Sequence, residues 1–391
     1  MRGDVERPTP LERVRALASR LEAEGDEIER QRKVPDGLQA ALQEQGLFRM
    51  LLPKPYGGEE VDPVTFIETI EEVAKHDAST AWCMGQNGVT AMAAAFLAPE
   101  VAREIWSNPH AILAWGPGPG AKAVKVDGGY RVTGNWAFAS GGRHATWFGG
   151  YCQIVGEDGT PLRNETGGPL TRTMLFPATQ APMTDIWNVM GLRGTGSDAF
   201  AVTDLFVPEA HSFQRDDMRE RKYQAPLYVF PTNTVFAGTF SCVALGIARA
   251  LLESFIALAT EKTPRGFKRP LAENTVVQSR VAECEARLRA ARLLVVGAYR
   301  EIWARVRETG ALDLDQRMTI RLAATHAIQE AKTVADHAYD LAGATAIFAS
   351  SPFERRYRDI RTVTQQLQGR FSHYETVGRH MFGLDTDLMF V

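Results

Sequence analysis

The stretch from Met190 to Phe200, MGLRGTGSDAF, carries the densest set of chemically useful groups in this chain. Gly191, Gly194 and Gly196 alternate with Arg193, Thr195 and Ser197, so a tight turn here offers free N–H groups, two hydroxyls and a cation. Such a turn suits a planar or anionic ligand. An ordinary glycine-rich hairpin explains the run equally well. A second cluster, Trp115-Gly116-Pro117-Gly118-Pro119-Gly120, superficially matches a dinucleotide fingerprint. It precedes a strand instead of opening a helix, and its prolines remove the N–H groups that would cradle phosphate. The sequence has no G-x-x-x-x-G-K-[ST] loop, no G-x-S-x-G elbow and no H-E-x-x-H pair. His326 and His337, and likewise His373 and His380, can share a helix face. Both pairs read as structural or surface histidines, and no metal is expected.

Composition narrows the classes. At 391 residues the chain exceeds what one core usually serves, so two or three domains are expected. Lys+Arg of 44 against Asp+Glu of 47 leaves a net charge of −3, which argues against a nucleic-acid binder. Cys83, Cys152, Cys242 and Cys284 lie far apart, which weighs against a disulfide framework or a zinc site and suits a reducing cytoplasm. The segment from Met1 to Pro8 lacks the apolar stretch of a signal peptide. The Ala91–Ala98 run is far shorter than the roughly 20 residues that cross a bilayer, so no membrane partner is expected. A cytoplasmic enzyme is the expectation.

The elements that must position these groups fall into three textures. Residues 9–108 follow a helical period, with Leu11, Val14, Leu17, Ala18 and Leu21 on one face. Ala78–Leu97 is small and apolar all round, so it should be buried on every side. From 111 to 213 the period shortens: Lys122–Val126 and Tyr130–Phe138 alternate around Asp127-Gly128-Gly129, a hairpin signal. Further strands are expected at Trp147–Val155, Thr173–Phe176 and Ala199–Val207, forming a small antiparallel barrel or sandwich. Four long helices follow, at roughly 233–262, 272–308, 314–345 and 353–382, and make a bundle. Domains are therefore expected at 1–110, 111–215 and 216–391.

The glycine run does not stand alone. Upstream lie Gly128-Gly129-Tyr130-Arg131-Val132-Thr133-Gly134-Asn135-Trp136-Ala137-Phe138-Ala139-Ser140-Gly141-Gly142, Leu52-Pro53-x-x-Tyr56-Gly57-Gly58 and Asp77-Ala78-Ser79. Downstream come Arg265-Gly266-Phe267, Leu341-Ala342-Gly343-Ala344 and Glu354-Arg355-x-x-Arg358-Asp359. In this order, over roughly residues 30–385, they resemble the acyl-CoA dehydrogenase superfamily. The resemblance implies an α+β fold with N-terminal helices, a central antiparallel β-barrel and a C-terminal four-helix bundle that assembles a homotetramer. It implies a flavin between barrel and bundle, contacted by Phe138 and Ser140 beside the glycine loop, with Ser140 near N5. It places Arg265 and Phe267 at the adenine-nucleotide half of FAD in a neighbouring subunit, where an Arg fork suits pyrophosphate. It also places Gly343 where the cofactor approaches the backbone. Lys268 replaces the family's usual Gly, and Gly343-Ala344 its double Gly; both weigh against tight FAD retention.

A dehydrogenase of this family needs a carboxylate base for the α-proton, worth about 10²–10⁴ in rate. The two places where the family carries it align with Leu367 and with Phe236, and neither ionises. The acyl-CoA-binding motif is replaced by the Trp115–Gly120 loop. The resemblance therefore narrows to two-component flavin monooxygenases. These take reduced FAD or FMN from a separate flavin reductase, add O2 at C4a as a hydroperoxide, and oxygenate a small aromatic or indolic substrate. That chemistry needs a dry pocket, for which Trp82, Asn87, Trp115 and Trp136 are the expected walls. Gln366 aligns with the histidine that activates substrate in many relatives; it can orient a substrate but take no proton. A phenolic substrate would need another residue, with His144 and His373 both open. An acyl-CoA dehydrogenase-like oxidoreductase with a displaced base is the alternative, followed by other flavin chemistry or an inactive flavin-binding scaffold.

Overall fold

The computed structural model describes residues 7–165 and 167–391. Six helices come first: α1 (Pro10–Ala23), α2 (Gly25–Gln31), α3 (Asp36–Glu44), α4 (Pro63–His76), α5 (Ala78–Thr90) and α6 (Pro99–Trp106). Their starts follow local chemistry. Thr9 and Glu12 form a capping box on α1, and Asp62 and Asp77 accept the first N–H groups of α4 and α5. α5 lies almost wholly in the core, as its apolar circumference predicts.

Eight strands occupy the middle: β1 (Leu113–Gly116), β2 (Lys122–Val126), β3 (Gly129–Ala139), β4 (Trp147–Val155), β5 (Thr171–Pro177), β6 (Met183–Thr184), β7 (Asp198–Pro208) and β8 (Ser212–Phe213). The β2–β3 hairpin turns at Asp127-Gly128 as expected, with Val126 opposite Gly129. The barrel expectation is corrected. The strands form one mixed sheet ordered β6-β7-β3-β2-β4-β5-β8; β1 and β2 both pair with β4 in parallel, and the path does not close. Alternation and turn residues specify local hairpins. They carry no information about the long-range parallel pairs that set this topology.

The C-terminal half comprises α7 (Thr232–Glu261), α8 (Thr275–Thr309), α9 (Leu314–Ala342), α10 (Pro352–Val363) and α11 (Ser372–Met381). The single helix expected over 353–382 is broken between α10 and α11. Gly369 sits against Ile328 of α9, where a Cβ would lie 3.1 Å from the isoleucine methyl, and the Gln366 side chain caps the Gln368 N–H. Among the described residues α7, not the Ala91–Ala98 run, is the apolar helix long enough to cross a membrane. It is instead a core helix: 67% of its most apolar window is buried, and α4, α5, α8, α9 and α10 pack around it.

Candidate active site

A cleft of about 490 Å³ opens between the sheet and the helical bundle. One wall is an aromatic stack from two helices. Trp82 of α5 lies on Phe240 of α7 at 3.9 Å between ring centroids, and Phe240 lies on Phe236 at 5.6 Å. The opposite wall is the sheet, presenting Trp115, Phe138 and Tyr151, with Trp187 from the connection between β6 and β7. Such a space is predominantly apolar, with a few convergent polar groups.

The end of β3 decides which aromatics face the cleft. In a regular strand Trp136 and Phe138 would share a face. The β3–β7 register slips between Trp136 and Ala139, and Phe138 adopts φ 59°, a conformation rare outside glycine. Phe138 therefore points outward, 59% exposed, while Trp136 is fully buried within the sheet's own core against Phe200. Trp136 is thus a structural residue and not a cleft wall. The Trp115–Gly120 glycines serve the same geometry. A Cβ on Gly116 would sit 1.9 Å from the Ala137 carbonyl oxygen at the bulge, and one on Gly118 would strike the Trp136 ring at 2.2 Å.

Beside the bulge runs a chain of hydroxyls. Trp82 Nε1–H, which can only donate, donates to Ser140 Oγ at 3.1 Å. Ser140 Oγ is 2.7 Å from Ser197 Oγ, and Ser197 Oγ is 2.7 Å from Thr195 Oγ1. The Thr195 hydroxyl donates to the Leu192 carbonyl at 2.9 Å. One proton per hydroxyl makes every bond only if Ser140 donates to Ser197 and Ser197 to Thr195. The Ser140 N–H also donates to the Phe138 carbonyl. Both Ser140 donors are therefore engaged within the chain.

The break between α10 and α11 supplies the third side. Gln365, Gln366, Leu367, Gln368 and Arg370 all face the cleft. Gln366 Oε1 accepts from the Gln368 N–H at 2.7 Å, which leaves its NH₂ group to donate. The segment is buttressed from below. His373 is buried, not a surface residue, and its Nε2 bonds the Leu367 carbonyl at 2.8 Å. Burial, then the nearby Arg321 guanidinium, pushes its pKa down to about 4, so it is neutral. Arg321 itself, buried on α9, donates to Gln368 Oε1 and to the Phe390 carbonyl, and Arg317 donates to that of Val391. These bonds hold the C-terminal residues so that Phe390 also lines the cleft.

Among the described residues no carboxylate lines this cleft, and Phe236 and Leu367 both do. His144 does not reach it. Its Nε2 bonds the Val34 carbonyl at 2.7 Å in the N-terminal helical region, and burial pushes its pKa down. Asn87 lies behind the wall, donating to the Ser140 carbonyl at 3.2 Å. Arg193 turns away, bonding the Val189 carbonyl and pairing with Glu29 at 3.4 Å. It belongs to a larger cleft of about 1170 Å³, where Arg355 and Arg358 pair with Asp26, Glu29 and Glu354. That cleft is polar and its charges are largely matched.

Two acyl-CoA dehydrogenase domain families match the chain, the N-terminal domain over residues 10–110 and the C-terminal domain over 238–369. An indole-3-acetate monooxygenase from Pseudomonas putida is 32% identical over 358 residues, covering 91% of this chain and 89% of that one. The oxygenase subunit of a flavin-dependent monooxygenase from Rhodococcus jostii is 29% identical, covering 89% and 91%. The crystal structure of 3-HSA hydroxylase from Rhodococcus sp. RHA1 superposes with a TM-score of 0.90 at 27% identity, covering 98% of this chain and 99% of that one. A Streptomyces protein solved with FADH2 and glycerol gives 0.89 at 25% identity, covering 97% and 96%. The chain belongs to the acyl-CoA dehydrogenase superfamily, in its branch of flavin-dependent monooxygenase oxygenase components.

For a member of that branch the cleft fits a flavin. The isoalloxazine ring is flat, with an apolar edge and a hydrogen-bonding edge. Aromatic walls and the Ser140–Ser197–Thr195 hydroxyls offer both. The monooxygenase's Arg265, Phe267 and Gly343 lie elsewhere, at one end of the bundle. Arg265 and Phe267 are exposed in the α7–α8 connection, and Gly343 ends α9 at φ 57°, ψ −142°, a conformation open to glycine. Lys262 Nζ joins the two loops, donating to the Ala342 carbonyl at 2.6 Å and to Thr345 Oγ1 at 2.8 Å. Lys262 was not singled out in the sequence, although it lies three residues before Arg265. Phe390, Gln86 and Arg215 are further cleft residues with no motif to announce them.

Proposed function

We infer that this protein is the oxygenase component of a two-component system, using reduced FAD or FMN and O2 to hydroxylate a small aromatic or indolic compound. One observation carries the choice over acyl-CoA oxidation. The resemblance puts the family's α-proton base at Leu367 or near Phe236, neither of which ionises, and no carboxylate faces the cleft among the described residues. Bound reduced flavin supplies two electrons to O2, one oxygen atom reaching the substrate and the other leaving as water.

The chain's own residues do the rest. Trp82, Phe236 and Phe240 exclude water from the reacting space. The Ser140–Ser197–Thr195 chain fixes the polar edge of the flavin site, and Phe138 covers its face. The Gln366 NH₂ group orients the substrate by donation. With no carboxylate or histidine lining the cleft among the described residues, a ring already nucleophilic without deprotonation is the best substrate, as an indole is.

The exposed Arg265, Phe267 and Gly343 surface is half a site, which supports a homo-oligomer, a tetramer by family precedent, in which a neighbour's flavin reaches it. Four unpaired, buried cysteines support a cytoplasmic location. A separate reductase supplies the reduced flavin. The test is a screen of indoles and aromatic acids with enzymatically reduced FAD and FMN in air. A product heavier by one oxygen is expected. Anaerobic reduction of the bound flavin by an acyl-CoA, with no oxygenated product from any aromatic, would overturn the reading.

A further inference from the structure

We propose that Arg215 binds a carboxylate on the substrate, so that the enzyme acts on small aromatic acids; this rests on the monooxygenase reading above. Arg215 lies between β8 and α7 and faces the cleft. Its guanidinium carbon sits 5.6 Å from the ring centroid of Trp115 and 5.6 Å from that of Tyr151. Both rings line the cleft, so the cation is held against its aromatic wall.

Its polar edge is unspent. The contact to Asp216 is 3.7 Å from Nε to Oδ2, too long for a hydrogen bond. The Asp216 carboxylate is already committed, accepting the Thr232 N–H at 2.8 Å and the Thr232 hydroxyl at 3.0 Å. Among the described residues Arg215 makes no hydrogen bond. Among the described residues that line the cleft, Arg215 and Arg370 are cations and none is a carboxylate; Asp216, beside Arg215, lies outside the lining. A guanidinium fork matches a carboxylate in two parallel bonds, and stacking on rings reduces the freedom it must lose. The geometry therefore suits an aromatic ring beside Trp82 and Phe240 with a short carboxylate arm toward Trp115 and Tyr151.

A flavin phosphate is an anion too, so the experiment separates the two. Indole-3-acetate and its uncharged amide are titrated anaerobically into the protein loaded with reduced flavin, following the heat of binding by isothermal titration. The wild type is expected to bind the acid at least about tenfold more tightly than the amide. Arg215→Gln should bring the two within about twofold, and Arg215→Lys should fall between, keeping charge but losing the fork. An unchanged preference in Arg215→Gln would overturn the proposal. So would a variant that weakens reduced FMN more than reduced riboflavin while the acid preference persists, because the fork would then serve the flavin phosphate. An Arg215-dependent preference without any oxygenated product would uphold the anion site and count against the monooxygenase reading instead.

Discussion

Ser140 and Ser197 face each other across the cleft floor with their hydroxyl oxygens 2.7 Å apart, each completing the other's hydrogen bonds. The link joins the end of β3 to the glycine loop before β7, so it fixes the distance between two segments that frame the cleft. It also passes the orientation of Trp82 Nε1–H, a donor without freedom, through three hydroxyls to the Leu192 carbonyl.

Ser140→Ala should break that chain and leave the Trp82 N–H without its partner. An orphaned buried donor costs about 1–3 kcal/mol, so a lower Tm is expected. The flavin site should loosen as well, raising the fraction of turnover released as hydrogen peroxide by roughly two- to tenfold, the equivalent of one net hydrogen bond. Product and peroxide measured together check this. A lower Tm with unchanged coupling would confine Ser140 to a structural role.

Asp359 predicts an unusual pH dependence of stability. It is buried, accepts the Leu192 N–H at 2.6 Å, and burial together with nearby Asp77 pushes its pKa up to about 7, against the opposing pull of Leu192, Arg355 and Arg358. Between the ordinary carboxylate value near 4 and about 7, the folded state keeps a proton that the unfolded state has released. Stability from this group therefore falls as pH rises across that window and is flat above it. Asp359→Asn, which can still accept from Leu192, should show a smaller loss of Tm than the wild type between pH 5 and 8. Parallel curves would contradict the assignment.

Much of this site was legible in the residues, and the gaps have physical causes. The glycine run stood out by its own turn chemistry, Ser140 and Gln366 by the family resemblance of the segments around them, and all three meet at one cleft. Trp136 and Phe138 were indistinguishable by alternation, since only the bulge sends one inward and the other outward. His144 looked apt because of its neighbours in sequence, yet its bond goes to Val34, more than a hundred residues away. Arg215 and Phe390 escaped notice because long-range packing alone brings them to the cleft. The same limit explains the sheet: β4 pairs with β1 and β2 in parallel, a partnership no turn signals.

Arg265→Ala should weaken FAD binding by about tenfold while changing FMN binding by less than about twofold, because only FAD has the second phosphate and the adenosine. Lys262→Met should act in the same direction by releasing the Gly343 loop from its anchor. Isothermal titration with each reduced flavin checks both. Equal effects on FAD and FMN would mean that this surface does not meet the pyrophosphate.

The C-terminal residues should matter to the substrate more than their position suggests. Phe390→Ala removes a ring from the cleft wall while leaving its carbonyl bond to Arg321 in place. A rise of about three- to tenfold in KM for the aromatic substrate is expected, from part of the roughly 1.5–3 kcal/mol that a buried Phe contributes. Tm should barely move. An unchanged KM would place Phe390 outside the occupied part of the cleft.

The proposed reaction puts one atom of dioxygen onto an aromatic ring. The direct measurement is mass spectrometry of the product formed from indole-3-acetate, reductase-generated reduced flavin and ¹⁸O2 in ordinary water. A product carrying one ¹⁸O atom per molecule is expected. An oxygen derived from water, or consumption of ¹⁸O2 that yields only labelled hydrogen peroxide, would contradict it.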